Sequence, residues 1–113
     1  MHEMSLCEGI ISVLEAEAKK QNFARVKTVW LEVGPFSGAE PEAMKFCFDA
    51  VTRGTLAENA RLEIVTPEGQ GFCGTCMKTV AIAERYDPCP TCGAVLLQVT
   101  GGEQLRIKEL EVV

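Results

Sequence analysis

The chain has no apolar run of the roughly 18 residues that a membrane-spanning helix needs. Its first residues lack the basic-then-apolar layout of a secretory signal, so a cytoplasmic location is expected. Positive charge is scarce: 11 Lys and Arg stand against 16 Asp and Glu, a net charge of −5. That balance disfavours nucleic acid as a partner. No nucleophile paired with a base, no phosphate-cradling loop and no catalytic carboxylate dyad can be picked out, so no enzymatic activity is expected. Histidine occurs once, at His2. No internal repeat or low-complexity tract is evident beyond two short cysteine knuckles.

What is present fits one compact domain: 113 residues, 47% of them hydrophobic, can bury a modest core of their own. The six cysteines would suit a small secreted disulfide scaffold, but the missing signal and the adequate core favour reduced thiols. Four of them form two Cys-x-x-Cys pairs, Cys73/Cys76 and Cys89/Cys92. Cys7 and Cys47 lie on apolar helical stripes, where free cysteine behaves as a small hydrophobe.

Along the chain, Met4, Cys7, Ile11, Leu14 and Ala18 recur at spacings of three and four, widened by Leu6, Ile10 and Val13. This predicts a helix ending near Gln21-Asn22. Residues 25–33 are rich in β-branched and aromatic types and read as a strand with Lys27, Val29, Leu31 and Val33 on one face; Trp30 is expected as a half-buried aromatic of the core. After Gly34-Pro35 and a loop through Glu40, Pro41 opens a second helix with the stripe Met44, Cys47, Phe48, Val51, stopped by Gly54. Residues 61–66 read as another strand. Residues 69–103 concentrate the paired cysteines with glycine and proline, and residues 104–113 are again strand-like, with Leu105 and Ile107 inward and then a switch of face to Leu110 and Val112. The fold class is α+β: a small mixed sheet with two helices over residues 1–68, completed by strand 104–113, and an inserted zinc-ribbon-like lobe over residues 69–103.

The spacing Cys73-x2-Cys76, twelve residues, Cys89-x2-Cys92 points two pairs of sulfurs at one ion, with Gly74, Pro90 and Gly93 in or just after the tight turns. Four soft thiolates suit tetrahedral zinc, leave no position for a substrate and make the ion structural. Rubredoxin-like iron, two separate redox pairs and a disulfide framework are the competing readings. At the other end stands Met1-His2-Glu3. The terminal amine of Met1, the next amide nitrogen and the His2 imidazole can chelate Ni(II) or Cu(II) in a plane, leaving a fourth position for Glu3 or a partner's ligand. The competing reading is an inert terminus, with Glu3 merely complementing the helix dipole.

Met1-His2-Glu3-Met4-Ser5-Leu6 opening a helix, Val33-Gly34, Gly54-Thr55, Ala60-Arg61-Leu62-Glu63-Ile64 and the pairs Cys73-x2-Cys76 and Cys89-Pro90-x-Cys92-Gly93 together resemble the HypA/HybF family of nickel metallochaperones for [NiFe] hydrogenase maturation. The resemblance covers essentially the whole chain. It implies nickel binding at His2, with Met1 and Glu3 around it, and zinc ligation by Cys73, Cys76, Cys89 and Cys92. It also implies a nickel domain with a zinc lobe inserted before its last strand. The partners implied are a hydrogenase-maturation GTPase (HypB-like) and the hydrogenase large subunit, with the chain itself a monomer or weak homodimer. Readings from other classes are a zinc-ribbon protein-interaction module with an inert N-terminus, and a thiol oxidoreductase using Cys73 and Cys76.

Overall fold

The computed structural model describes residues 2–113. Its elements run α1 (Glu3–Gln21), β1 (Val26–Val33), α2 (Pro41–Val51), β2 (Arg61–Val65), β3 (Gln70–Cys73), β4 (Lys78–Ala81), β5 (Gln98–Gly101) and β6 (Leu105–Val112). The chain divides into two compact units. One comprises Met1–Leu31, Ala39–Val65 and Arg106–Val113; the other comprises Glu32–Gly38 and Thr66–Leu105.

In the first unit, α1 ends where Asn22 takes the left-handed conformation (φ 58°) and its N–H bonds the Ala18 carbonyl, a stop that Asn tolerates better than most residues. The buried face of α1 is Glu3, Cys7, Ile10, Ile11 and Leu14. Met4 and Val13, expected on the apolar stripe, are 40% and 49% exposed. Eight apolar residues wrap too wide an arc for all to face one neighbour, and packing against α2 decides which are covered. Helix α2 begins with Pro41 at its first turn, capped by the Glu40 carboxylate accepting from the Ala43 N–H at 2.8 Å. It contributes Met44, Cys47 and Phe48 to the core. Gly54 (φ 77°) lies past the helix end, which falls at Thr52.

Strand β1 is central in the three-stranded sheet β2-β1-β6. Val29, Leu31 and Val33 are buried, whereas Lys27, placed by alternation on their face, is exposed near the strand's start. Trp30, on the opposite face, is half-buried. The pairing continues past the end of β6 onto the residues that lead into β1: the Ala24 N–H bonds the Val113 carbonyl and the Val113 N–H bonds the Arg25 carbonyl.

The second unit is a three-stranded sheet in the order β4-β3-β5, with β3 antiparallel to both neighbours. None of these four-residue strands was expected. Its core consists of Cys73, Val80, Ile82 and Cys89, with Phe36, Cys76, Ala94, Leu97 and Val99 packed against it. The Arg85 guanidinium lies 5.3 Å from the Phe36 ring centroid and also donates to the Phe36 carbonyl and the Glu103 carboxylate, both at 3.0 Å. Gly34 donates to Gln104 and Phe36 to Gly102, both at 2.7 Å.

That close passage requires the glycine: a Cβ on Gly34 would strike the Gly102 carbonyl. Gly34→Ala is therefore expected to cost roughly 1–3 kcal/mol of stability through overpacking against backbone. Gly9→Ala, at an exposed helical position with nothing within 4 Å, should instead stabilise by about 0.5–1 kcal/mol. Thermal and denaturant unfolding of the two variants checks both signs.

Candidate metal centre

Cys73 ends β3, and the chain turns through Cys76 before β4 begins at Lys78. The Cys76 N–H reaches back to the Cys73 sulfur at 3.4 Å. The second knuckle closes similarly, with the Gly93 N–H on the Cys89 carbonyl and the Cys89 N–H on the Ala94 carbonyl, both at 2.8 Å. In each knuckle the residue after the second cysteine adopts a left-handed conformation: Gly93 at φ 78° and Met77 at φ 56°. The equivalence was legible only for the glycine. Met77 takes the same turn with a side chain that the conformation disfavours, and is 73% exposed.

The two knuckles bring the four Sγ atoms within 4.8 Å of one another. Cys73 and Cys92 approach to 3.6 Å, and Cys76 and Cys89 to 3.9 Å. Zinc–thiolate bonds of about 2.3 Å in a tetrahedron set sulfurs about 3.8 Å apart, so the arrangement fits structural zinc. All six cysteines are free thiols. Among the described residues this is the only cluster of three or more His, Cys, Asp or Glu side chains with metal-ligand spacing. Backbone N–H groups of Cys92 and then Thr91 favour the Cys89 thiolate and hold its thiol low, at about 6. Cys76 is pushed up to about 12, chiefly by its hydrogen bond with Cys92 and then by burial. Cys89 is thus more readily ionised than Cys76. Cys7 is wholly buried, and burial pushes its thiol up to about 11; it donates to the Met44 carbonyl at 3.5 Å and serves as core.

At the other end of the chain, Met1 lies outside the described residues. His2 is the exposed N-cap of α1; its carbonyl accepts from the Leu6 N–H at 3.0 Å, but its side chain makes no capping bond. Glu3 is only 6% exposed. One of its carboxylate oxygens accepts from the Glu40 N–H at 3.2 Å, and that bond is the main cause of a pKa below the usual carboxylate range. Because Glu40 caps α2, the two helix starts are held together at this contact. Sequence reasoning missed Glu40: the residue before a helix-opening proline is an ordinary cap position, and nothing in its spacing marks it as a partner for Glu3.

A helix-and-sheet unit and a small unit built round four converging thiols define a protein that carries a tetrathiolate metal-binding lobe. The family model described as "Hydrogenase/urease nickel incorporation, metallochaperone, hypA" matches residues 1–112. The chain belongs to the HypA family. Similar proteins include "Hydrogenase maturation factor HypA" of Rhodopseudomonas palustris (strain BisA53), 60% identical, and that of Azotobacter chroococcum mcd 1, 59% identical; each match covers 99% of both chains. The solution structure of the Ni metallochaperone HypA from Helicobacter pylori shares the fold at a TM-score of 0.70 and 23% identity, covering 100% of this chain and 98% of that one. Expectations of an α+β architecture, of this family and of a tetrathiolate cluster suited to zinc are therefore met.

The left-handed turn at Met77 makes a checkable demand. With no packing to lose at this exposed side chain, Met77→Gly should stabilise the metal-loaded protein by up to about 1 kcal/mol, while Gly93→Ala, which gains no contact, should cost about 1 kcal/mol. Chemical denaturation of the zinc-loaded variants measures both.

Proposed function

We propose that this chain is a nickel carrier, not an enzyme, which binds Ni(II) at its N-terminus and delivers it to the large subunit of a [NiFe] hydrogenase during maturation. Near-full-length identity of 60% to a hydrogenase maturation factor is the single observation that most strongly supports this reading. The Met1 amine, an intervening amide nitrogen and the His2 imidazole supply in-plane nitrogens for Ni(II), with Glu3 contributing beside them. The exposed imidazole of His2, which makes no capping bond, supports that role. The buried Glu3 carboxylate already has a backbone partner. Its contribution is therefore first to anchor the start of α1, and its amide nitrogen is the donor nearest to hand.

Cys73, Cys76, Cys89 and Cys92 hold structural zinc in this account. The nickel domain spans residues 1–68 with 104–113, and the zinc-binding lobe residues 69–103. The partners are a HypB-like maturation GTPase and the hydrogenase large subunit, and the setting is the cytoplasm. Neither nucleic acid nor a membrane takes part; among the described residues no helix is long and apolar enough to cross a membrane. Transfer proceeds by ligand exchange, which an open square-planar site permits and a closed tetrathiolate does not.

A calorimetric Ni(II) titration of protein with its native N-terminus, run beside His2→Ala with zinc content measured in both, tests the reading. Wild type should hold about one zinc and bind nickel, and His2→Ala should keep the zinc while losing at least about tenfold in nickel affinity. Equal nickel binding by the variant would make the terminus inert and leave a zinc-ribbon interaction module as the better account.

A further inference from the structure

The four sulfurs of the tetrathiolate cluster are not equally placed. Cys73 is wholly buried, Cys89 is 2% exposed, Cys76 is half-buried and Cys92 is exposed. The backbone divides them the same way. The first cysteine of each knuckle has a sulfur that accepts amide hydrogens, Cys73 from the Cys76 N–H at 3.4 Å and Cys89 from the N–H groups of Cys92 and Thr91. Cys92 is the second cysteine of its knuckle, and Pro90, Thr91 and Gly93 around it are exposed as well. It is the ligand that a small solute reaches without displacing any of the core. Its Sγ lies 3.6 Å from that of Cys73, and the Cys76 Sγ lies 3.9 Å from that of Cys89; both approaches run between the knuckles rather than within one.

From this asymmetry we infer that Cys92 is an oxidation site, where a small peroxide opens the lobe, joins Cys92 to Cys73 across the knuckles and releases the zinc. The inference rests on the zinc assignment made under the proposed function. Zinc holds its ligands as thiolates, the form that is also the nucleophile. The Cys92 sulfur attacks one oxygen of hydrogen peroxide; the O–O bond breaks, hydroxide leaves, and Cys92 becomes a sulfenic acid. The Cys73 thiolate then attacks the Cys92 sulfur, and the S–S bond forms as the S–O bond breaks and a second hydroxide leaves. Two thiolates have given up two electrons, and the peroxide has been reduced to two hydroxides. Cys76 and Cys89 alone do not complete a tetrahedron, so the lobe gives up its zinc. A second equivalent of peroxide joins that remaining pair in the same way. Because Cys73 and Cys89 are also part of the lobe's core, oxidation disturbs packing and metal site together. A thiol reductant returns each disulfide to two thiols, itself ending as a disulfide, and the site can refill. Cys7 and Cys47 are buried in the core of the other unit and stay out of reach.

The test begins with zinc analysis of the untreated full chain, which should hold about one zinc. Hydrogen peroxide is then added in steps from about one equivalent. A chromogenic chelator follows zinc release, and mass spectrometry maps the disulfides after free thiols are blocked. Zinc should leave as the Cys73–Cys92 bond appears, Cys76–Cys89 should follow at higher dose, and Cys7 and Cys47 should stay reduced. Cys92→His, which keeps a four-ligand zinc site, should slow release at least about tenfold, whereas Cys76→His should release zinc at close to the wild-type rate. Should either variant fail to hold zinc, the wild-type disulfide map decides. Untreated protein without zinc would overturn the zinc assignment and this inference with it. Zinc present at the start, but a first disulfide within one knuckle, release indifferent to Cys92→His, or zinc retained while the thiols oxidise, would overturn this inference alone.

Discussion

Convergence of four sulfurs is the constraint on which the small unit depends. A sheet of three four-residue strands buries little on its own, and its core is partly made of the cysteines themselves, Cys73 and Cys89 being almost wholly enclosed. Thiolates packed this closely repel one another, so the cluster that completes the core also needs a cation to neutralise it. An ion bound by four thiolates can supply on the order of 10 kcal/mol toward folding such a lobe, more than its apolar area alone offers. The backbone is shaped to that end: two tight turns, each relieved by a left-handed residue, aim the sulfurs inward, and amide hydrogens at Cys89 favour its ionised form.

The N-terminal region follows a different logic. A metal that must be handed on calls for ligands held in place without being enclosed. Burial of Glu3 and its bond to the Glu40 N–H fix where α1 begins, while His2, one residue earlier, stays at the surface with its side chain uncommitted to the cap. In the proposed function, anchoring and chelation thus fall to adjacent residues, Glu3 and His2, and the anchor draws on the start of α2 rather than on the metal.

Much of this was legible in the sequence where a local rule decides the outcome. Paired cysteines at short spacing, proline opening α2 and the three- and four-residue spacing of α1 each point to one structure by covalent geometry or helical period. The remainder depended on tertiary partners. Strands β3 to β5 are too short to show alternation. Met4 and Val13 belong to the apolar arc of α1 by type but not by packing. Met77 is held in a glycine-like turn that only the matching second knuckle reveals. In sequence Glu3 reads as a carboxylate beside the nickel site, with a helix-dipole role as the competing reading; its burial goes with a bond from the Glu40 amide, 37 residues away, which no local pattern could indicate.

The proposed function requires two metals held by two chemically distinct ligand sets, sulfur for the resident ion and nitrogen for the cargo. X-ray absorption at the zinc and nickel edges of one sample, loaded with a single equivalent of Ni(II), tests that division directly. The predicted result is zinc surrounded by about four sulfurs near 2.3 Å, unchanged by nickel, and nickel surrounded by nitrogen and oxygen with no sulfur. Sulfur scattering at the nickel edge, or loss of sulfur from zinc as nickel is added, would contradict it.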